Sequence, residues 1–393
     1  MSTGLHYVVW EITLQCDLAC KHCGSRAGKP RANELDTAEA LDVVRQLAEM
    51  GAKEVTLIGG EAYLRADWTV IARAIKAHGM SCTMTTGGRG VTKERARQAK
   101  EAGVDGISVS LDGVGKTHDL QRGVAGSFDA AMEAILHLKD AGIDVTVNTQ
   151  VNKLSFPELD AVLDILVAHR LRAWQVQLTV PMGRAAERPE WLLQPDDILE
   201  VIPKVAELSA RGALSGVDLF PGNNIGYYGP HEEQIRGRLG PAVHWSGCAA
   251  GAQTLGIEAD GAIKGCPSLP TAAYTGGHVR ARTIRDIWDH TKELRYTRDR
   301  TAADLWGFCA SCYYADECRA GCTWTSHVFF GRPGNNPYCH HRALEHDKQG
   351  LRERLVLVER APGAPFDHGR FEAIVEPRSA ERPAAARHLP IVG

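Results

Sequence analysis

Cys16, Cys20 and Cys23 stand at C-x3-C-x2-C spacing in the run WEITLQCDLACKHCGSR, straight after the apolar, strand-like residues 7–14. Three thiolates this close in one loop can converge on one inorganic centre, and an odd number cannot all pair as disulfides. A cubane iron–sulfur cluster normally takes four protein ligands, so three leave one iron open to something that is not protein. The competing reading is a zinc site with His22 as fourth ligand. Adjacent His22 and Cys23 would share one metal only in an awkward geometry. Buried structural cysteines also rarely cluster in threes with polar residues such as Asp17, Lys21 and His22 between them.

Seven further cysteines follow later: Cys248, Cys266, Cys309-x2-Cys312-x5-Cys318-x3-Cys322, and Cys339. A zinc ribbon carries two C-x2-C pairs, which this run does not. Residues 256–266, GIEADGAIKGC, read as a β-hairpin turning at Asp260-Gly261. Cys82, inside a strand-like run, reads as a core cysteine. Gly59-Gly60-Glu61 follows the second strand-like run. A glycine pair lets backbone approach a ligand closely, and a carboxylate there can accept from a cationic amine. Ser110-Leu111-Asp112-Gly113 ends the fourth run, where Asp-Gly by itself is an ordinary exit into a turn.

These residues need elements to position them. Short β-branched runs at 7–14, 54–58, 81–86, 106–111, 143–149 and 174–178 alternate with amphipathic stretches at 37–50, 67–78, 93–102, 127–141 and 157–169. Asp36, Thr37 and Ser127 are candidate N-caps. Pro157 suits a first helical turn, and Gly51, Gly79, Gly103 and Gly142 fall where C-caps belong. Repeated strand–helix units mean parallel strands with right-handed crossovers. Six strands are too few for a closed eight-fold barrel, and periodicity alone leaves a partial barrel and a doubly wound sheet both open. In either, sites lie at the C-terminal ends of strands, where the 16–23 loop sits. Further on, a helix is expected over 195–211 and a long loop over VDLFPGNNIGYYGP. A charged helix is expected from His340 to about Val358. An extended or disordered tail is expected over 361–393, which holds Pro362, Pro365, Pro377, Pro383 and Pro390.

The chain has 393 residues, 44% hydrophobic and 24% charged, with net charge -3. It can bury a sizeable core and hold more than one domain. Nothing in this balance suggests a nucleic-acid or membrane partner. MSTGLHYVVWEIT is not a signal peptide, and no apolar run is long enough to span a bilayer. Eleven cysteines without an export signal point to the reducing cytoplasm and favour cluster or metal ligation over disulfides.

The cysteine triad after a first strand, with GGE after a second, resembles the radical S-adenosylmethionine (radical SAM) enzymes. The later cysteines resemble their SPASM extension, which binds auxiliary iron–sulfur clusters. The resemblance implies an α/β fold, a partial (β/α)6 TIM-like barrel over 1–212. A bridging loop region (213–247), a small cysteine-rich SPASM domain (248–345) and a C-terminal helix with a Pro/Ala-rich tail (346–393) would follow. It implies SAM and three [4Fe–4S] clusters as cofactors. Cys16, Cys20 and Cys23 would hold the radical SAM cluster. Cys309, Cys312, Cys318 and Cys339 would hold the outer auxiliary cluster, and Cys248, Cys266 and Cys322 the inner one. The inner site is then one ligand short. Sulfatase-maturing relatives have a cysteine just upstream, whereas residues 241–247, PAVHWSG, have none; His244, an exogenous ligand or an open position remain. Gly59, Gly60 and Glu61 would hold the SAM amine, with Ala62 where the family usually has Pro. Thr86 would meet the ribose, Ser110 would face SAM and Arg122 would pair with its carboxylate. Asn148 and Leu178 would contact the adenosine.

The function implied is hydrogen abstraction by a 5′-deoxyadenosyl radical, modifying a ribosomally synthesised peptide by crosslinking, splicing or oxidation. HCGSRAG together with LIGGEAYLR resembles nif11-type maturases, which include peptide spliceases. The sulfatase-maturing subgroup is disfavoured, because Pro267-Ser268 stands where its catalytic Asp would follow Cys266. The expected partners are a precursor peptide and a reductant such as flavodoxin or ferredoxin. A separate leader-recognition protein is also expected, since no winged-helix segment precedes the cluster loop. The alternatives are a SPASM dehydrogenase acting on a small molecule, a non-catalytic electron carrier, and a zinc protein.

Overall fold

The computed structural model describes residues 4–237 and 244–380. Strands and helices alternate through the first half as the periodicity predicts. They run β1 (Tyr7–Thr13), α1 (Thr37–Glu49), β2 (Glu54–Gly59), α2 (Trp68–Ala77), β3 (Ser81–Thr86), α3 (Lys93–Glu101) and β4 (Gly106–Ser110). Next come α4 (Lys116–Arg122), α5 (Ser127–Asp140), β5 (Asp144–Val151), α6 (Leu159–Ala168), β6 (Ala173–Leu178), α7 (Ile198–Ser215) and β7 (Asp218–Pro221). β1 to β7 pair side by side in chain order, each parallel to the next. A doubly wound sheet reverses its strand order at a switch point; this one does not, and its order is that of a barrel wall.

The two faces of the sheet differ because side chains alternate along a strand. On β6, Trp174, Val176 and Leu178 are buried, and they belong to the main core with Ile135, Leu138 and Leu163 of the helices. The opposite face is polar and hydrogen-bonding. Thr83 and Thr85, Ser108, Asn148, Gln175 and Gln177 stand there in register across β3 to β6.

The structure bears out part of the sequence reading here and departs from it at several points. Asp36 caps α1 in a capping box with Glu39. Ser127 is not a cap; Gly126 takes that place at φ 75°, and Asp119 accepts from Gly126 N, Ser127 Oγ and Phe128 N. Pro157 lies in a 3-10 turn (Phe156–Glu158) just before α6. The expected long loop begins as β7, an edge strand that ends in Pro221, where a missing donor matters little. On the other edge, β8 (Thr254–Ile257) pairs parallel with β1, and β9 (Ala262–Lys264) and β10 (Gly277–His278) continue the sheet. The expected hairpin at Asp260-Gly261 is the β8–β9 turn, and it extends the barrel's own sheet.

The last helix, His340–Lys348, stops ten residues short of Val358. Gly350 turns the chain at φ 69°. β11 (Leu351–Glu359) then pairs antiparallel with β12 (Arg370–Pro377). The expected tail is therefore a strand as far as Pro377, while residues 381–393, with Pro383 and Pro390, lie outside the described residues. Among the described residues no helix is long and apolar enough to cross a membrane.

Candidate active site and cluster centres

The 16–23 loop leaves the C-terminal end of β1 and is tied at its base, where Gly28 N donates to Leu14 O and Cys16 N to Gly28 O, both at 3.0 Å. α4 holds its flank: Lys21 N donates to Gln121 O at 2.8 Å and Ala19 N to Arg122 O at 3.2 Å. Gly123 makes that approach possible. It sits at φ 70°, and a Cβ there would lie 2.3 Å from Ala19 O. At the next strand, a Cβ on Gly60 would lie 1.8 Å from Gln15 O, and Glu61 N donates to Gln15 O at 2.7 Å. Gly60 is thus required first by contact between two backbones, rather than by a ligand.

The cysteines sort into three electrostatic neighbourhoods. Burial raises the Cys16 thiol, and Cys20 and Cys23 raise it further. Burial pushes Cys20 up to about 11, with Arg122 acting against it. Cys266 stands at about 11, raised by burial and then by Cys248; Cys322 stands at about 12, raised by burial, Cys248 and Cys266. Cys318 is raised by burial and then by Cys339, Cys309 and Cys312. These four thiols line one small cavity with Tyr227, Tyr228, Phe308 and Tyr314. Cys82 belongs to none of the sets. It is fully buried in the core, beside Asp105.

Donor chemistry and spacing fit clusters better than single zinc ions. Thiolates around one zinc at about 2.3 Å lie within about 4 Å of each other. Among the described residues no cysteine triad brings its sulfurs within 4.8 Å; the group that does converge so closely is Cys16, Asp17 and Glu61. His22 is also turned away from a zinc role, with Nε2 2.9 Å from Asp112 Oδ2.

Glu61 is buried beside Cys16, and its two hydrogen bonds come from neutral groups, Thr86 Oγ1 at 2.5 Å and Gly87 N at 2.7 Å. Burial pushes its carboxyl up to about 7 against those bonds. A carboxylate so placed is short of a cation. Gly59 turns out of β2, with Thr86 at the end of β3. Ser110 ends β4 in register with Asn148 on β5. These residues share the mouth of the sheet. Leu178, at the end of β6, already has both backbone groups taken: its N–H donates to Asn224 Oδ1 at 3.0 Å and its carbonyl accepts from Asn224 Nδ2 at 2.7 Å.

Arg122 is buried too, with Nη2 2.6 Å from Asp112 Oδ2 and Nη1 3.8 Å from Cys20 Sγ. Asp112 was missed by sequence reasoning, which took it for a turn residue. It is fully buried and receives Arg122, His22 and Gln150 N at 2.8 Å. Burial alone would raise its carboxyl; Arg122 and His22 outweigh burial and hold it below the usual carboxylate range. The only sequence signal was a carboxylate at the end of a barrel strand.

His244 does not join the three-cysteine set in this structure. It is half exposed, 3.6 Å from Glu317 and stacked obliquely near Tyr228. Around that set stand Tyr274 and Tyr296, whose hydroxyls feel the Cys248 thiol.

Residues 10–153 match the Radical SAM superfamily, and residues 248–313 match SPASM, the iron–sulfur cluster-binding domain. An AdoMet-dependent heme synthase of Oleidesulfovibrio alaskensis is 28% identical over 82% of this chain and 83% of its own length. The mycofactocin maturase MftC of Mycolicibacterium smegmatis is 28% identical over 84% of this chain and 82% of its own. Streptococcus suis SuiB, solved bound to its precursor peptide SuiA, shares the fold with TM-score 0.66 at 16% identity, over 82% of this chain and 72% of that one.

Proposed function

We propose that this chain, which carries a radical SAM domain and a SPASM domain, is a maturase that modifies a ribosomally made precursor peptide. The carrying observation is the sheet's polar face. Asn148, Gln150, Gln175 and Gln177 offer both donors and acceptors there, in register across β5 and β6. Peptide amides need both kinds of partner. The likeness to MftC supports the same reading.

Cys16, Cys20 and Cys23 would hold the cluster that binds SAM, and the other two sets would hold auxiliary clusters. When bound, the first cluster and SAM supply a 5′-deoxyadenosyl radical, a hydrogen-atom abstractor, on receipt of one electron from a flavodoxin- or ferredoxin-like donor. The chain's own part is positioning. Glu61 would accept from the SAM ammonium, which would relieve its cation-poor burial. Thr86, Ser110 and Asn148 would line the ribose and adenosine side. Arg122, held by Asp112, would present its free edge to the SAM carboxylate. A separate leader-recognition protein would deliver the peptide.

The heme synthase relatives favour a second reading, modification of a small molecule such as a tetrapyrrole. The test is anaerobic incubation of reconstituted enzyme with SAM and dithionite, offered either a short peptide encoded beside its gene or an iron-coproporphyrin. A mass change in the peptide supports the maturase; conversion of the porphyrin alone overturns it.

A further inference from the structure

The turn between β11 and β12 reaches back to the mouth of the sheet. Phe366 N donates to Gly24 O at 3.1 Å, next to Cys23. Its ring lies 3.8 Å beneath Lys264 Nζ, and Lys264 is itself an electrostatic neighbour of Cys266. One residue therefore touches the surroundings of both cysteine triads. Asp367 binds Arg26 through two bonds, Nε to Oδ1 at 2.8 Å and Nη2 to Oδ2 at 3.2 Å. Arg26 also holds Glu187 and the Gly183 carbonyl, and its backbone sits in the left-handed region at φ 53°. Gly183 N donates to Asp367 O at 2.8 Å. His368 bridges Met182 and meets the His327 ring at 5.1 Å. His327 in turn contacts Tyr274 OH at 3.0 Å.

We propose that this turn is a wall of the reaction chamber between the two triads, and that Asp367 is a positioning residue that fixes the cluster loop through Arg26. The proposal rests on reading the triads as cluster sites. The turn lies beyond both matched domains, in the C-terminal hairpin.

The test uses the full chain, reconstituted, as wild type, Asp367→Asn and Asp367→Glu. Amide exchange in residues 361–369 and 23–28 is read alongside the electron paramagnetic resonance of the reduced protein before and after SAM. Asp367→Asn should raise exchange roughly tenfold or more in both segments and alter the SAM-induced spectral change, and Asp367→Glu should restore both. Faster exchange in 361–369 alone, with 23–28 and the spectrum unchanged, would overturn the proposal. If wild-type protein shows no SAM-dependent spectrum, the cluster reading fails; coupled exchange of the two segments would still support Asp367 as the hold on the loop.

Discussion

Asp112 gathers Arg122 and His22 on one carboxylate with no exposure to water. Removing that charge leaves a buried guanidinium uncompensated. Asp112→Asn should therefore lower stability by about 3–5 kcal/mol, read from denaturant midpoints. Asp112→Glu, which keeps the charge, should recover part of the loss. Glu61 tests the SAM site itself: Glu61→Ala should weaken SAM binding by roughly 1.5–3 kcal/mol in equilibrium titration, and unchanged affinity would remove it from the site. The cysteines were legible because their chemistry is written in spacing. Asp112 was not, because its meaning depends on His22 and Arg122, which only the fold brings to it. The hold of Asn224 on the Leu178 backbone was equally unread, since Asn224 comes from a loop far along the chain.

At the scale of elements, the first six parallel strands were legible to within two residues, since buried strands alternate and their helices repeat along one face. The miss at the C-terminus has a physical cause. β11 buries charged residues, Arg352 and Glu353, so its alternation is hidden in a run that reads as a charged helix. Glu353 pairs with Arg342 across the hairpin and the last helix, both nearly inaccessible. Burial would raise the Glu353 carboxyl; His346 and Arg342 outweigh it and hold it below the usual range. Glu353→Ala should cost about 3–5 kcal/mol near neutral pH. A depressed carboxyl contributes stability above its unfolded pKa of about 4.3 and loses it as pH falls through the lower folded value. The gap between wild type and Glu353→Ala should thus close on acidification below that point, as followed by denaturation at stepped pH. α4 was likewise unread, being too short to show a period, yet its last turn holds the cluster loop.

At the scale of the molecule, one ten-stranded sheet carries the cluster loop on β1 and runs on into the hairpin that leads to Cys266. The sheet thereby carries two cysteine triads, the first beyond the C-terminal end of β1 and the second with Cys266 toward its N-terminal end, near Tyr7, with the four-cysteine cavity farther along the chain. The singly wound strand order, left open by periodicity, follows from β1 to β7 pairing in sequence. The account's central claim is that ten of the eleven cysteines form three cluster sites. Iron analysis of anaerobically prepared protein tests it most directly, comparing wild type with the Cys16→Ala, Cys20→Ala, Cys23→Ala triple variant. The account predicts about twelve irons per chain in the wild type and about eight in the variant, with SAM cleavage abolished. Equal iron in the two proteins, or full SAM cleavage by the variant, would contradict it.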